Sequence, residues 1–301
     1  MTLPAALPGE RFDFTHPSAG RIGLYAAGEG AGPPLLLVHS VNAAAAASEV
    51  RPLFEHYRAS RRVFAIDLPG YGSSDRSDRD YTPRLMVDAL HGAVAQIRAR
   101  CGPVPVDALA VSLGCEFLAR AAMEAPGAFR SLALVSPTDL RGGQAGRGAP
   151  GSTRAMPWLR AALRGPGTGW GGGLFRTLTR PGVIRHFLRK TWGGRDIDDT
   201  MWAYAVRTAQ EPGAEHAPLC FLSGGLFSAD IHAVYEALTV PVWMSHGVRG
   251  DFTDYRGKAF LAHRPNWRFT VFQTGALPYF EVGAESDAAY DAFLASATTA
   301  G

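Results

Sequence analysis

Cysteine is scarce in this 301-residue sequence: only Cys101, Cys115 and Cys220 occur, with no C-x-x-C pair. An odd, scattered set excludes a disulfide framework and a thiolate metal site. It points to buried thiols in a reducing compartment, and so to a cytoplasmic protein. Excess charge is lacking too. The formal net charge is +3, dispersed, without a basic run or a basic motif interleaved with aromatics, which argues against a nucleic-acid partner. No apolar stretch is long enough for a membrane span, and the alanine run Ala43 to Ala47 is far too short. Met1 to Glu10 has neither the basic start nor the apolar stretch of a secretory signal. Phosphate loops, clusters of metal ligands and internal repeats are also missing, so the expectation is no cofactor and no metal.

What is present is enough apolar sequence, 47% of the residues, to build a sizeable core. Its most informative stretch is Ala108 to Gly114. The apolar run Val106 to Val111 stops at Ser112. Beyond it, Leu113, Phe117, Leu118, Ala121, Ala122 and Ala125 recur at spacings of three and four, a helical period. A strand that becomes a helix within one or two residues holds Ser112 on a tight turn, its hydroxyl pushed out beyond the sheet. The Leu113 N–H, at the positive end of the helix, faces the same space. This is the G-x-S-x-G nucleophile elbow with Ala110 for the first glycine, a position that needs a small residue. The alternative is a serine N-cap on an ordinary helix.

The flanking segments alternate. Arg11 to His16 and Arg21 to Ala27 suit a hairpin. Leu35 to Val38, Val63 to Ile66 and Leu132 to Val135 are short apolar runs suited to buried strands. Helical patterns separate them, Val50 to Tyr57 and Leu85 to Ile97. The alternation predicts a mostly parallel sheet with helices on both faces and a ligand site at the strands' carboxyl ends. From Asp139 to Leu238 it stops. Helical patterns over Trp158 to Arg164, Leu174 to Trp192 and Asp198 to Gln210 read as a helical lid, or as a separate small domain. Strands resume at Val240 to Met244 and Arg268 to Gln273, with helices at Tyr255 to His263 and Ala288 to Ala295. The organisation is a core of 1–138 and 239–301 with an insertion at 139–238.

Assembled, these segments resemble the α/β-hydrolase family from Arg11 to Ala295. The carriers are Leu36-Leu37-Val38-His39, the loop Asp67-Leu68-Pro69-Gly70-Tyr71-Gly72-Ser73-Ser74, the elbow at Ser112, and the loop Gly247 to Asp251. The second closely matches the family's D-x-P-G-x-G-x-S loop. The resemblance implies an α/β fold: a mostly parallel eight-stranded sheet with a lid after the sixth strand. It implies a cofactor-free serine hydrolase of small apolar esters or related acyl compounds. The fold also carries C–C bond hydrolases and receptors without turnover.

Carried onto this sequence, the family's machinery makes Ser112 the nucleophile and Asp251 the acid, with Asp254 and Asp139 as alternatives. The backbone N–H groups of Val41 and Leu113 become the oxyanion donors. His39, Ser40 and Asn42 would line the substrate; the family usually has His-Gly at His39-Ser40. The order Ser, Asp, His requires a histidine after the last strand, yet none follows His263, and Tyr279 stands in its place. A phenol, with a reference pKa of about 10, is a poor base near neutral pH. The sequence therefore predicts slow or absent turnover. It leaves open service by His246, His216 or His232, and a non-catalytic ligand-binding protein. Trp158, Trp170, Trp192 and Trp202 would line an apolar tunnel or pack the lid. Cys115 reads as packing, and Glu116 as a helix-surface or supporting residue.

Overall fold

Eight strands make one sheet in the order β1-β2-β4-β3-β5-β6-β7-β8. The computed structural model describes residues 3–143, 147–164 and 169–298. The strands are β1 Glu10–His16, β2 Gly20–Ala31, β3 Leu35–Val38, β4 Arg61–Ile66, β5 Val106–Val111, β6 Phe129–Val135, β7 Val242–His246 and β8 Trp267–Val271. The β1/β2 and β2/β4 pairs are antiparallel. From β4 through β8 all pairs are parallel, so the carboxyl ends of β3 to β8 share one edge.

Side chains alternate between the faces of a strand, and the core divides accordingly. Leu36, Val38, Ala108 and Ala110 pack on one face with residues of α2 (Pro83–Cys101) and α3 (Gly114–Glu124). Leu35, Leu37, Leu109 and Val111 pack on the other with residues of α1 (Arg51–Tyr57) and the closing helix. Because both faces are covered, β3 and β5 read as unbroken apolar or buried runs.

Between β6 and β7 the described residues form α4 Pro157–Arg164, α5 Gly169–Leu178, α6 Pro181–Trp192, α7 Asp199–Thr208, α8 His216–Leu222 and α9 Ile231–Ala237. The single helical pattern expected over Leu174 to Trp192 is split. Arg180 is extended at ψ 139° and Pro181 opens α6, where its missing N–H costs nothing. Neither α8 nor α9 was expected. Each has seven residues and buries most of them, so neither shows a polar face in sequence. The helix expected at Tyr255 to His263 is a 3₁₀ stretch, Arg256–Leu261. The last helices are α10 Pro278–Glu281 and α11 Gly283–Thr298.

Candidate active site

Ser112 links β5 to α3 with φ at +52°. That left-handed backbone costs a non-glycine residue about 1–3 kcal/mol and persists only where its surroundings enforce it. Here they do. The Ser112 N–H donates to Val135 O at 2.9 Å, and the Ser112 carbonyl accepts from the Cys115 N–H at 3.0 Å to start α3. A Cβ at Gly114 would lie 2.5 Å from His39 O, so glycine lets α3 close against the loop after β3. Ser112 is half-buried, and among the described residues its hydroxyl has no protein partner.

The loop after β3 faces it. His39 Nε2 accepts from the Leu68 N–H at 3.0 Å, so Nδ1 carries the proton and donates to Ser40 O at 2.5 Å. The ring is fully buried. With both nitrogens engaged, it orients the loop, the role this position usually has in the family, and offers no ring nitrogen to a substrate. Asn42 is similarly occupied. Its amide nitrogen donates to Glu49 Oε1 at 2.8 Å and Ser40 Oγ at 3.1 Å, and its oxygen accepts from the Ala44 N–H at 2.7 Å. Glu49, buried, also accepts from the Ser40 N–H at 2.8 Å. Sequence reading missed Glu49, since a lone glutamate after an alanine run carries no signal. Two N–H groups on these loops, those of Val41 and Leu113, have no acceptor among the described residues.

Asp67 anchors the same loop from below. Its carboxylate accepts from the Ala47 N–H at 2.8 Å and from Ser73 N–H and Oγ at 2.8 and 2.9 Å. Gly72, at φ +50°, passes so close that a Cβ there would sit 2.0 Å from Asp67 Cγ. The D-x-P-G-x-G-x-S loop is thus a clasp, not a reacting group.

The acid and base positions are arranged differently from expectation. Tyr279 is buried in α10 and donates to Glu49 O at 3.0 Å. Burial, then the Glu49 charge, pushes its phenol well above the ordinary value, so it cannot ionise to act as a base. Asp251 is 51% exposed and pairs with Lys190 Nζ at 3.0 Å. The end of α6 lies between the two loops. Lys190 O accepts from the Asp251 N–H at 3.2 Å and Thr191 O from the Ala276 N–H at 2.9 Å. Among the described residues no hydrogen bond joins Asp251 to Tyr279 or Ser112.

The alternatives are held elsewhere. Asp254 is clamped by Arg256 at 2.9 Å, which keeps its carboxyl well below the usual range. Asp139 is buried and paired with Arg154, and its carbonyl receives His232 Nε2 at 2.6 Å. His246 Nε2 accepts from Lys258 Nζ at 2.7 Å while Nδ1 donates to Gly247 O at 2.8 Å. Burial, with Lys258 adding, lowers its pKa and keeps it neutral. His216 stands 3.6 Å from Asp78.

Glu116 is not on the helix surface. It is 1% exposed, accepting from Thr138 Oγ1 at 2.6 Å and the Ser228 N–H at 2.8 Å. Burial pushes its carboxyl up to about 7. The folded chain thus holds this proton more tightly than the unfolded chain, whose glutamates titrate near 4.3. The stability this contributes is full below that lower value and lost as pH rises through the upper one, on the order of 3 kcal/mol. Urea melts at about pH 5 and about pH 8 should show a loss that Glu116→Gln lacks; equal losses would refute it.

Trp192 is buried against Phe280, with ring centroids 5.3 Å apart, and Trp202 carries Arg185 over its face at 4.2 Å. Trp158 and Trp170 line nothing; they are exposed. Cys115 packs as expected, its thiol on Ala110 O at 3.2 Å. A cleft of about 540 Å³ between Pro34, Arg62, Arg100, Val104 and Arg130 lies where β3 and β5 begin, the edge away from Ser112.

A family model described as the alpha/beta hydrolase fold matches residues 33–166. It spans the clasp, the elbow and the loop of Val41. This chain has the α/β-hydrolase fold. Solved structures share this fold over nearly all of the chain. A serine hydrolase involved in carbazole degradation aligns at a TM-score of 0.71 and 17% identity, covering 95% of this chain and 99% of that one. A thermophilic esterase from Thermogutta terrifontis aligns at 0.70 and 18%, covering 96% and 99%. A 2-hydroxy-6-oxo-6-phenylhexa-2,4-dienoate hydrolase from Rhodococcus sp. strain RHA1 aligns at 0.69 and 19%, covering 95% and 99%. At such identities the likeness is one of fold. Within that fold, Ser112 sits on the tight turn after β5, Asp251 pairs with Lys190, and Tyr279 donates to Glu49 O.

Proposed function

We propose that this chain is a serine hydrolase of small apolar esters or related acyl compounds, slow in turnover because no imidazole serves Ser112. The observation that carries the reading is the strained serine at φ +52°, whose hydroxyl is unpartnered on a turn that closes against the His39 loop, with the Val41 and Leu113 N–H groups of these loops without acceptors among the described residues. Ser112 Oγ attacks the acyl carbon and gives its proton to solvent water, which later returns one to the departing alkoxide, while the carbonyl oxygen becomes an oxyanion that accepts from the Val41 and Leu113 N–H groups. Collapse expels the alcohol and leaves an acyl-enzyme, which water then hydrolyses. Ser40 borders this site. The core would be 1–138 and 239–301, with 139–238 as the lid over the pocket, and the esterase among the aligned structures favours ester substrates.

A non-catalytic ligand-binding protein is the second reading, favoured by the Tyr279 hydrogen bond to Glu49 and the Asp251 pair with Lys190. Prolonged exposure to a fluorophosphonate probe, read by intact mass and peptide mapping, separates the two. The hydrolase reading expects one adduct, on Ser112, absent in Ser112→Ala. A folded chain that stays unlabelled supports the binding protein.

A further inference from the structure

The small net charge conceals a division along the chain. Residues 140–195 carry ten arginines and Lys190 and no acidic residue, while the rest of the sequence holds nineteen basic and twenty-seven acidic residues. The basic groups are therefore not dispersed, as first expected. They fall on α4, α5, α6 and the segments around them. Some are neutralised from elsewhere: Arg164 by Asp78 at 2.7 Å, Arg185 by Asp199 at 2.6 Å, and Arg147 by Glu236 at 3.0 Å. Arg176, Arg180, Arg189 and Arg195 are exposed and, among the described residues, have no carboxylate partner.

The same helices expose large apolar groups. Trp158 is 70% exposed, Trp170 56% and Phe187 51%, with Met156 just before α4 at 39%. The helices adjoin: a Cβ on Gly171, beside Trp170, would lie 2.3 Å from Leu163 O in α4. Exposed indole rings and unpaired guanidinium groups carried on the same three helices match the chemistry of a bilayer interface. Planar guanidinium forks pair with phosphate, and amphipathic aromatic rings rest at headgroup depth. A nucleic acid would satisfy the arginines but leave Met156 and Phe187 in water. Among the described residues no helix is long and apolar enough to cross a membrane, so contact would be made from one side.

We propose that the α4–α6 layer docks this protein on an anionic lipid bilayer, with Arg176, Arg180 and Arg189 on headgroup phosphates and Trp158, Trp170 and Phe187 in the interface. The inference does not depend on Ser112 chemistry, and its test uses the full chain carrying Ser112→Ala so that no lipid is consumed. Co-sedimentation with phosphatidylcholine vesicles containing about one-third phosphatidylserine is compared with phosphatidylcholine alone. Binding is expected only with the anionic lipid, weakening at least tenfold from low to about 0.5 M salt as the charges are screened.

Arg176→Glu/Arg180→Glu/Arg189→Glu should weaken binding at least a hundredfold, from roughly fivefold per lost charge. Should that triple variant misfold, Arg176→Gln/Arg180→Gln/Arg189→Gln should still lose at least tenfold. Trp158→Ala/Trp170→Ala should lose about tenfold with an unchanged thermal midpoint. No binding to anionic vesicles at low salt, or equal binding to neutral ones, would overturn the proposal. Tighter binding of a short DNA duplex, indifferent to the tryptophans, would overturn it in favour of a polyanion surface.

Discussion

Tyr279→His is expected to raise p-nitrophenyl acetate hydrolysis at least tenfold, and adding Ser112→Ala is expected to remove the gain. The native phenol is buried, neutral and committed to Glu49 O. An imidazole on the same loop could take the proton from Ser112. A positioned general base typically contributes 10²–10⁴-fold. A gain that starts below that range, at about tenfold, is expected here because Asp251, the residue that would orient the ring, faces solvent on Lys190. The gain should appear as pH rises through about 6.5, where imidazole loses its proton. Lys190→Ala in the histidine background should raise the rate further by releasing Asp251. If Tyr279→His leaves the rate unchanged while Ser112→Ala lowers it, another group serves the serine and residue 279 is not at the base position.

Asp107→Ala is expected to cost about 3–5 kcal/mol, a large share of the roughly 5–15 kcal/mol that holds a domain folded. Asp107 lies in β5 with no exposure. Arg61 pairs with it, Arg130 donates to both of its oxygens at 2.8 and 2.6 Å, and Ser131 Oγ donates at 2.5 Å. Removing the carboxylate strands two largely buried guanidinium groups. For a chain of this size the thermal midpoint should fall by roughly 6–15 °C. A shift under about 2 °C would mean that water or neighbouring carbonyls take over the arginines. The rate of p-nitrophenyl acetate hydrolysis per folded molecule, at whatever level the unsubstituted chain shows, should be unchanged, because this cluster sits at the far edge of the sheet from Ser112.

The elements legible from sequence were those with local causes. Ser112 could be found because a strand period gives way to a helix period around it, and only a tight turn fits between. The loop at Asp67 was legible as a turn-rich family motif, while its role as a clasp rests on the close approach of Gly72 and the Ser73 and Ala47 hydrogen bonds. Glu49 was invisible, since its importance comes from the Ser40 and Asn42 groups that surround it. Glu116 was left open between the helix surface and a supporting role because its partners, Thr138 and Ser228, lie twenty-two and more than a hundred residues away. The tryptophans of the insertion looked alike in sequence, yet two are exposed, one is buried, and Trp202 carries an arginine over its ring.

The sequence by itself determined the sheet, the turn at Ser112 and the absence of histidine after His263, because apolar period, turn chemistry and residue type act over a few neighbours. Only the tertiary structure decided where Asp251 and Tyr279 point. The end of α6, brought in from a remote part of the chain, occupies the space between their loops, and contacts of that span leave no periodic trace in the residues that make them.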